Sequence, residues 1–517
     1  MNEEDRVKLK PLLGIHPCKY LTMLYSLVIL ILIFLIFFLA GIVRPGTLYS
    51  FVTVPSNAAV YIDGKYAGAA PCEVFVAEGE HHFRIEKDYY SGFEQTVNSG
   101  NRLFASLFFP KKETLNIEMP LEDAESLLEH SFLEFAGWGM IDTFYENYKP
   151  RPVLGPLFHD LYRSGFADKS TLSAFLYSVM PFVHNMELYE DLFEAVVWFE
   201  RIKGNDDAGE GLSLSEGFAK LVFFTDAVSY YENLPFWYYS LLDDQAREDR
   251  QSWYPALQEE YGAYLRDFSN DYPSPQAAVT VNGMRFIMLS GGQFLMGADG
   301  NSFPFPASVD DFMIMDREVT NELYSMFMID NSNWMPENTA RLIDEGLVSG
   351  DYLRDFKDSQ GSEPVNDVSW FAANAFCDWL ESKLPDYLSG YTVRLPDELE
   401  WEWAVLTDSG SGGIFKENGT DGPLPVVGRY SNNSGLYDLR GNLWEWCGNW
   451  YAPASFLVTT RDPGANEAYI GNYPGVEKGV RGGSWANEKS LSLSVRGSQP
   501  PHWCTDFLGF RPVLVKE

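Results

Sequence analysis

The chain has 517 residues, of which 46% are hydrophobic and 15% aromatic, and its 73 acidic against 38 basic side chains give a formal charge of -35. That length exceeds what one hydrophobic core accommodates, so several domains are expected, and the apolar content excludes a disordered chain. The charge excludes a nucleic-acid partner, because a phosphate-binding face needs a basic stripe that releases counterions.

From Tyr20 to Val43 the chain reads YLTMLYSLVILILIFLIFFLAGIV, without a charge. At ~1.5 Å of rise per residue this run crosses a hydrocarbon layer of ~30 Å as a helix. A cleaved signal peptide has a shorter apolar stretch and ends at a small-residue cleavage site. Arg6, Lys8, Lys10 and Lys19 precede the run and Arg44 alone follows it closely. The positive-inside rule therefore predicts a cytoplasmic tail over 1–19, a single-pass anchor over 20–43 and a chain otherwise on the periplasmic side. Cys72, Cys377, Cys447 and Cys504 then lie where disulfides are permitted, and spacing does not choose among their pairings.

Residues 50–118 alternate like strands, and Asp63-Gly64 after AVYI is a favoured two-residue hairpin turn. The segments IDGKYAGAAP and VAEGEHHFRI resemble the PEGA domain, a small all-β module of bacterial surface proteins that serves as spacer or wall-proximal element. His81 and His82 are strand neighbours pointing to opposite faces, so joint metal ligation is not expected. Residues 120–272 show apolar spacings of three and four with carboxylates between them, which predicts a helical domain. Asp168 and Ser170 are candidate N-caps and Gly204 a candidate stop. His130, His159 and His184 lack the spacing of a helical zinc site. The stretch SNDYPSPQAAVTVNG, from Ser269, breaks the pattern.

Seven blocks follow in series: FIMLSGGQFLMGADG, DFMIMDREVTNELYSMFM, EPVNDVSWFAANAFCDWLESKL, YTVRLPDELEWEWAV, GLYDLRGNLWEWCGNWY, VRGGSW and DFLGFRPVL. Ser369–Leu380 reads as a helix burying Trp370, Ala373, Phe376, Cys377 and Leu380. Pro396 is placed in the first turn of a second helix, with Asp397, Glu398 and Glu400 at its positive end. Together the blocks resemble the sulfatase-modifying factor family, whose founding activity is the formylglycine-generating enzyme. The resemblance implies, over 278–517, an α+β fold related to C-type lectins. The whole chain is thus expected to be multidomain: transmembrane helix, small all-β domain, α-helical domain and this C-terminal domain.

The resemblance also implies a site. The founding enzyme holds copper(I) with two thiolates placed shortly after the GGS block, and counting from Ser484 puts those positions on Asn487 and Ser492. Neither supplies a thiolate, and no cysteine lies between Cys447 and Cys504. Relatives with non-haem iron need several histidines, and His502 is the domain's single one. Copper and iron are therefore not expected. Cys447 and Cys504 form a displaced thiol pair only if they meet. Cys377 has lost its family partner, whose position is Pro512. Ser484, Ser490, Ser492 and Ser494 are serines without a held base.

Calcium is the expected structural cofactor. The family's oxygen cage maps to Asp438 and Glu445 with the carbonyls of Gly441 and Leu443, a donor set suited to a hard cation. The alternative is that the two acids are solvated or paired with Arg440. The groove implied by the resemblance is lined by Trp444, Trp485, Asn487, Ser492, His502 and Trp503, which suits a peptide or glycan. The expected function is a membrane-anchored, non-catalytic binding or scaffolding module. The alternative is an oxidoreductase acting on a protein or thiol through a non-standard site.

Overall fold

The computed structural model describes residues 10–12, 15–106, 108–141, 150–183, 186–203, 263, 268–297, 305–357, 359–406, 412–426, 430–453 and 475–516. Two compact units divide the chain: residues 1–129 with 156–167, and residues 130–155 with 168–517.

The first unit begins with helix α1 (Pro17–Phe34), which runs on through a wide π-turn, Leu35–Leu39, and a last helical turn, Ala40–Val43. Pro17 opens the helix where a missing N–H costs nothing. Pro17–Leu39, with a mean hydropathy of 2.9, is long and apolar enough to cross a membrane, and it fits an anchor or a signal sequence.

Seven strands follow: β1 (Gly46–Val54), β2 (Ala59–Ile62), β3 (Lys65–Ala69), β4 (Cys72–Ala77), β5 (Gly79–Glu86), β6 (Phe93–Ser99) and β7 (Lys111–Glu118). They form a three-stranded sheet, β4-β1-β7, and a four-stranded sheet, β3-β2-β5-β6. The β2–β3 turn is Asp63-Gly64 as expected, both with positive φ (51° and 76°). Alternation puts Tyr49 and Phe51 of β1 and Phe83 and Ile85 of β5 in the core. The Phe83 ring meets Tyr49 and Phe51 edge-on at 5.1 and 5.3 Å, so aromatic burial joins the two sheets. His81 bonds Asp63, whereas His82 faces Glu94, in keeping with opposite faces.

The helical region contains α2 (Ala124–Gly139), α3 (Leu154–Ser164), α4 (Lys169–Val179) and α5 (Met186–Lys203). Asp168 caps α4 by accepting from the Thr171 N–H. Asp191 of α5 accepts from the N–H groups of Val153, Leu154 and Gly155, satisfying donors at the start of α3. Asp191→Ala is expected to lower stability by about 2–3 kcal/mol in urea denaturation, since three buried N–H groups lose one acceptor. His184, Gly204 and most of the expected helical stretch beyond Lys203 lie outside the described residues.

In the C-terminal part, one sheet has the order β13-β18-β12-β9-β8. Its strands are β8 (Pro275–Val281), β9 (Met284–Leu289), β12 (Phe312–Met315), β13 (Tyr391–Arg394) and β18 (Val513–Lys516). Strands β10 (Gly292–Met296) and β11 (Phe305–Val309) pair separately. A four-stranded sheet, β16-β15-β14-β17, is built from β14 (Trp444–Trp450), β15 (Lys478–Arg481), β16 (Arg496–Gln499) and β17 (Leu508–Gly509). Helices α6 (Asn321–Asp330), α7 (Trp370–Glu381) and α8 (Glu398–Val405) complete the elements that position the site.

Ser369 caps α7, and Ala373, Phe376, Cys377 and Leu380 are buried as expected. Trp370 is half-buried instead, and its indole N–H donates to the Cys447 carbonyl at 2.9 Å. Pro396 stands before α8 and not in its first turn. Asp397 takes the cap position in a reciprocal capping box with Glu400, which leaves proline outside the helix.

Candidate functional site

The Leu439–Leu443 turn feeds β14 and is held by one sharp glycine. Gly441 has φ 71°, and a Cβ there would stand 2.2 Å from the Ile414 carbonyl oxygen, so only glycine fits. Its N–H donates to the Gly482 carbonyl, and the Trp485 N–H donates to the Asn442 carbonyl. These two bonds tie the RGN turn to the RGG turn.

Asn442, fully buried with φ 60°, gives its amide N–H to Glu318 at 2.7 Å and accepts from Leu424 N–H at 2.9 Å. Glu318 also accepts from Leu443 N–H at 3.1 Å. Burial, and next the nearby Glu445 and Asp438, push the Glu318 carboxyl well above its usual range. On β14, Glu445 points inward and is gripped by Arg511 through two bonds, 2.6 and 2.7 Å, and by the Trp401 indole at 2.9 Å. Asp438 is buried too, with φ 50°. The Arg440 guanidinium donates to the Leu491 carbonyl at 3.0 Å. Among the described residues no three His, Cys, Asp or Glu side chains converge as a metal-binding group.

At the two copper-equivalent positions the chemistry is hydrogen bonding. Asn487 Oδ1 accepts from Ser484 N–H at 2.9 Å, Ser484 hydroxyl at 3.0 Å and the Trp444 indole N–H at 2.9 Å. The Ser492 hydroxyl accepts from the Ser494 N–H at 3.1 Å. Trp444 and Asn487 are thus directly joined. The Trp485 indole donates to the Asp506 carbonyl, and His502 and Trp503 are exposed on the Pro500–Cys504 turn. Asn487→Ala is expected to lower stability by about 1–3 kcal/mol, because three donors lose their acceptor. Asn487→Asp, which keeps an oxygen there, is expected to lose less in the same urea titration.

Two of the serines are also committed. Ser484 donates to Asn487, and Ser494 donates to Glu402 at 3.0 Å. Cys447 and Cys504 are buried free thiols in two different apolar clusters, so the displaced pair does not form. Burial pushes the Cys504 thiol up to about 11 and Cys447 well above its ordinary value, the opposite of an activated thiolate.

Two features were not foreseen. Glu398 and Glu402, four residues apart on one face of α8, meet the arginines of β15 and β16. Arg496 grips Glu398 with two 2.8 Å bonds, and fully buried Arg481 pairs with Glu402. The i, i+4 acids and the two Arg-Gly pairs were legible as complementary sets, but sequence does not show which strands face α8. The second is Lys478, buried with its ammonium 4.1 and 3.7 Å from the ring centres of Trp370 and Trp450. It donates to the Gly448 carbonyl at 3.0 Å, and burial pushes its pKa down to about 7.

Comparison with known proteins agrees with this architecture. Residues 271–516 match the family described as Sulfatase-modifying factor enzyme 1-like domain, and residues 48–105 match the PEGA domain. An uncharacterized protein of Borreliella burgdorferi is 23% identical over 99% of this chain and 97% of its own length. Serine/threonine-protein kinase Pkn1 of Chlamydia trachomatis is 27% identical over 46% of this chain and 38% of its own. The formylglycine-generating enzyme of Streptomyces coelicolor is 31% identical over 29% of this chain and 52% of its own. The chain therefore spans about half or less of the two relatives with a named activity. With seven sequence blocks in order, the glycine-tied turns and these matches, residues 271–516 form a Sulfatase-modifying factor enzyme 1-like domain and residues 48–105 a PEGA domain.

Proposed function

We propose that the C-terminal domain is a non-catalytic binding or scaffolding module for a peptide or glycan, held by α1 on the extracytoplasmic face of a membrane. One observation carries this reading. The two positions where the family resemblance implies copper ligands hold an amide and a hydroxyl, and the amide oxygen already accepts three hydrogen bonds. Such hard, occupied donors do not suit copper(I). The half-buried Trp444 and Trp485, with exposed His502 and Trp503, supply aromatic faces and polar tips for a polar ligand. The basic residues before the apolar run support an inward N-terminus.

The test is metal content and oxygen uptake of the purified full chain with cysteine-containing peptides. The expected result is neither stoichiometric copper or iron nor oxygen consumption. Finding both would establish the oxidoreductase alternative.

Structural calcium at Asp438 and Glu445, with the carbonyls of Gly441 and Leu443, is the second part of the proposal. Its support is the grouping of three buried carboxyls, Glu318, Asp438 and Glu445, close enough to act on one another electrostatically. Added calcium is expected to raise the Tm and a chelator to lower it. A Tm indifferent to both ends the calcium reading.

A further inference from the structure

We propose that Leu103, Phe104, Phe108 and Phe109, in the loop between β6 and β7 of the PEGA unit, form a second membrane contact, an aromatic wedge seated in the same bilayer leaflet in which α1 ends. The inference rests on the reading of α1 as a membrane anchor. The loop connects β6 to β7 and reads NRLFASLFFP. Leu103, Phe104, Phe108 and Phe109 are 57%, 56%, 55% and 63% exposed, beside a core that buries Tyr49, Phe51 and Phe83 completely. Four large apolar side chains so close in sequence form a patch that a water-facing loop has no reason to carry.

What covers the patch follows from what it already touches. The Phe104 ring stacks on Phe37 at 5.5 Å and meets Phe38 edge-on at 5.3 Å, and Phe108 lies 5.9 Å from Phe37. The backbone joins as well. Ala105 N–H donates to the Phe37 carbonyl at 2.7 Å, and the Asn101 amide donates to the Gly41 carbonyl at 2.8 Å. Gly41 makes this approach possible, since a Cβ there would stand 2.6 Å from the Leu103 carbonyl oxygen. Phe37 and Phe38 belong to the apolar run itself. A loop bonded to them shares their depth.

That depth is the boundary between acyl chains and headgroups. At ~1.5 Å per residue Phe37 stands about 9 Å before the end of the apolar run at Val43, so with Val43 among the headgroups Phe37 and the loop it holds lie at the inner edge of the interface. Irregular backbone is excluded from the hydrocarbon itself but is accommodated about 5–10 Å into the interface, where aromatic residues collect. The cations are placed accordingly. Arg44 and Arg102 are exposed and lie over Phe75 and Phe109, at 4.8 and 5.9 Å, where they can meet lipid phosphates. The loop and α1 together would fix the PEGA unit against the bilayer, with two attachments in place of a swivelling tether.

The experiment uses the full chain in phosphatidylcholine–phosphatidylglycerol vesicles, in a Cys18→Ser, Cys72→Ser background. With Cys377, Cys447 and Cys504 left as buried thiols, one accessible cysteine carrying an environment-sensitive fluorophore is placed in turn at Phe37→Cys, Phe104→Cys, Phe108→Cys and Phe109→Cys. Lys65→Cys, exposed at the start of β3 beside the Asp63-Gly64 turn, is the aqueous reference. Quenching by iodide is compared with quenching by nitroxides near the headgroup end of the acyl chain. The loop labels are expected to be several-fold less quenched by iodide than the reference and strongly quenched by the nitroxide lipids. The ring contacts with Phe37 and Phe38 among the described residues are made by Phe104 and Phe108, so a label at Phe109 tests the loop without disturbing that packing. Loop labels that behave like the reference, while the Phe37 label is lipid-quenched, overturn the wedge and leave the anchor standing. Loop labels shielded from iodide but untouched by nitroxide lipids assign the patch to a second protein copy and also overturn it. A water-exposed Phe37 label, with the protein released by alkaline carbonate, overturns the anchor reading instead.

Discussion

Arg511→Met is expected to lower the stability of the C-terminal domain by about 3–5 kcal/mol, read as a fall in urea midpoint at unchanged slope. Arg511 is fully buried, and two of its nitrogens hold both oxygens of an equally buried carboxylate, Glu445. Methionine is close in volume to the side chain but, among the described residues, leaves Glu445 with the Trp401 indole as its side-chain donor. Glu318 and Asp438 are nearby and add repulsion, as the upward push on Glu318 shows. An isolated buried charge costs more than the pair contributes, so the loss measures the stranded carboxylate. Arg511→Met with Glu445→Gln should therefore recover most of it, because the glutamine removes the charge and still accepts from Trp401. A double variant as unstable as the single one would show that the guanidinium acts mainly through other contacts, such as its bond to the Tyr437 carbonyl. Calcium bears on the same experiment. A cation on Asp438 and Glu445 should reduce the loss caused by Arg511→Met, and an unchanged loss with added calcium would argue against that site.

Local rules carried far in this chain where neighbours in sequence are neighbours in space. The Asp63-Gly64 turn, the Asp168 cap and the α7 face of Ala373, Phe376, Cys377 and Leu380 are of this kind. The block order likewise points to the C-terminal fold. What sequence did not disclose are pairings across long separations. Glu445 meets Arg511 over 66 residues and Glu398 meets Arg496 over 98. Each acid had a plausible local partner or role, Arg440 for Glu445 and the helix end for Glu398. The fold instead places them against arginines brought in by other strands. Trp370 shows the same limit: its spacing on α7 is that of a core residue, yet it turns its ring to Lys478 and its N–H to Cys447. The cysteines illustrate the converse. Cys447 and Cys504 flank blocks that come together as β14 and β17, but their side chains enter different apolar clusters.

Asp367→Asn is expected to stabilise the protein by about 2 kcal/mol at pH 8 and to leave it unchanged near pH 4. Asp367 is 1% exposed, its Oδ1 accepts no hydrogen bond, and Arg354 approaches only to 3.8 Å. Burial pushes its pKa up to about 7; Arg354 opposes the shift, while Asp506, Asp355 and Asp351 add to it. The sign is fixed by comparing folded and unfolded chains. Below about pH 4 the carboxyl is protonated in both states and contributes no difference. Between about pH 4 and 7 the unfolded chain ionises first, so stability falls as pH rises. Above about pH 7 the whole cost is present, and a neutral amide of the same shape avoids it. Asparagine also suits the backbone, since φ at this residue is 53°. The gain stays below the full value of the shift because the buried amide needs partners of its own and the attraction to Arg354 is lost. Urea titrations of both proteins at pH 4 and pH 8 decide the matter, and equal stability at pH 8 would show that Arg354 neutralises the charge. The place of the residue gives the result a meaning for function. Its N–H donates to the Thr505 carbonyl, and the next residue, Asp506, accepts from the Trp485 indole at the proposed binding face. Relief of the buried charge is therefore expected to tighten the packing of the segment that carries the Trp485 contact.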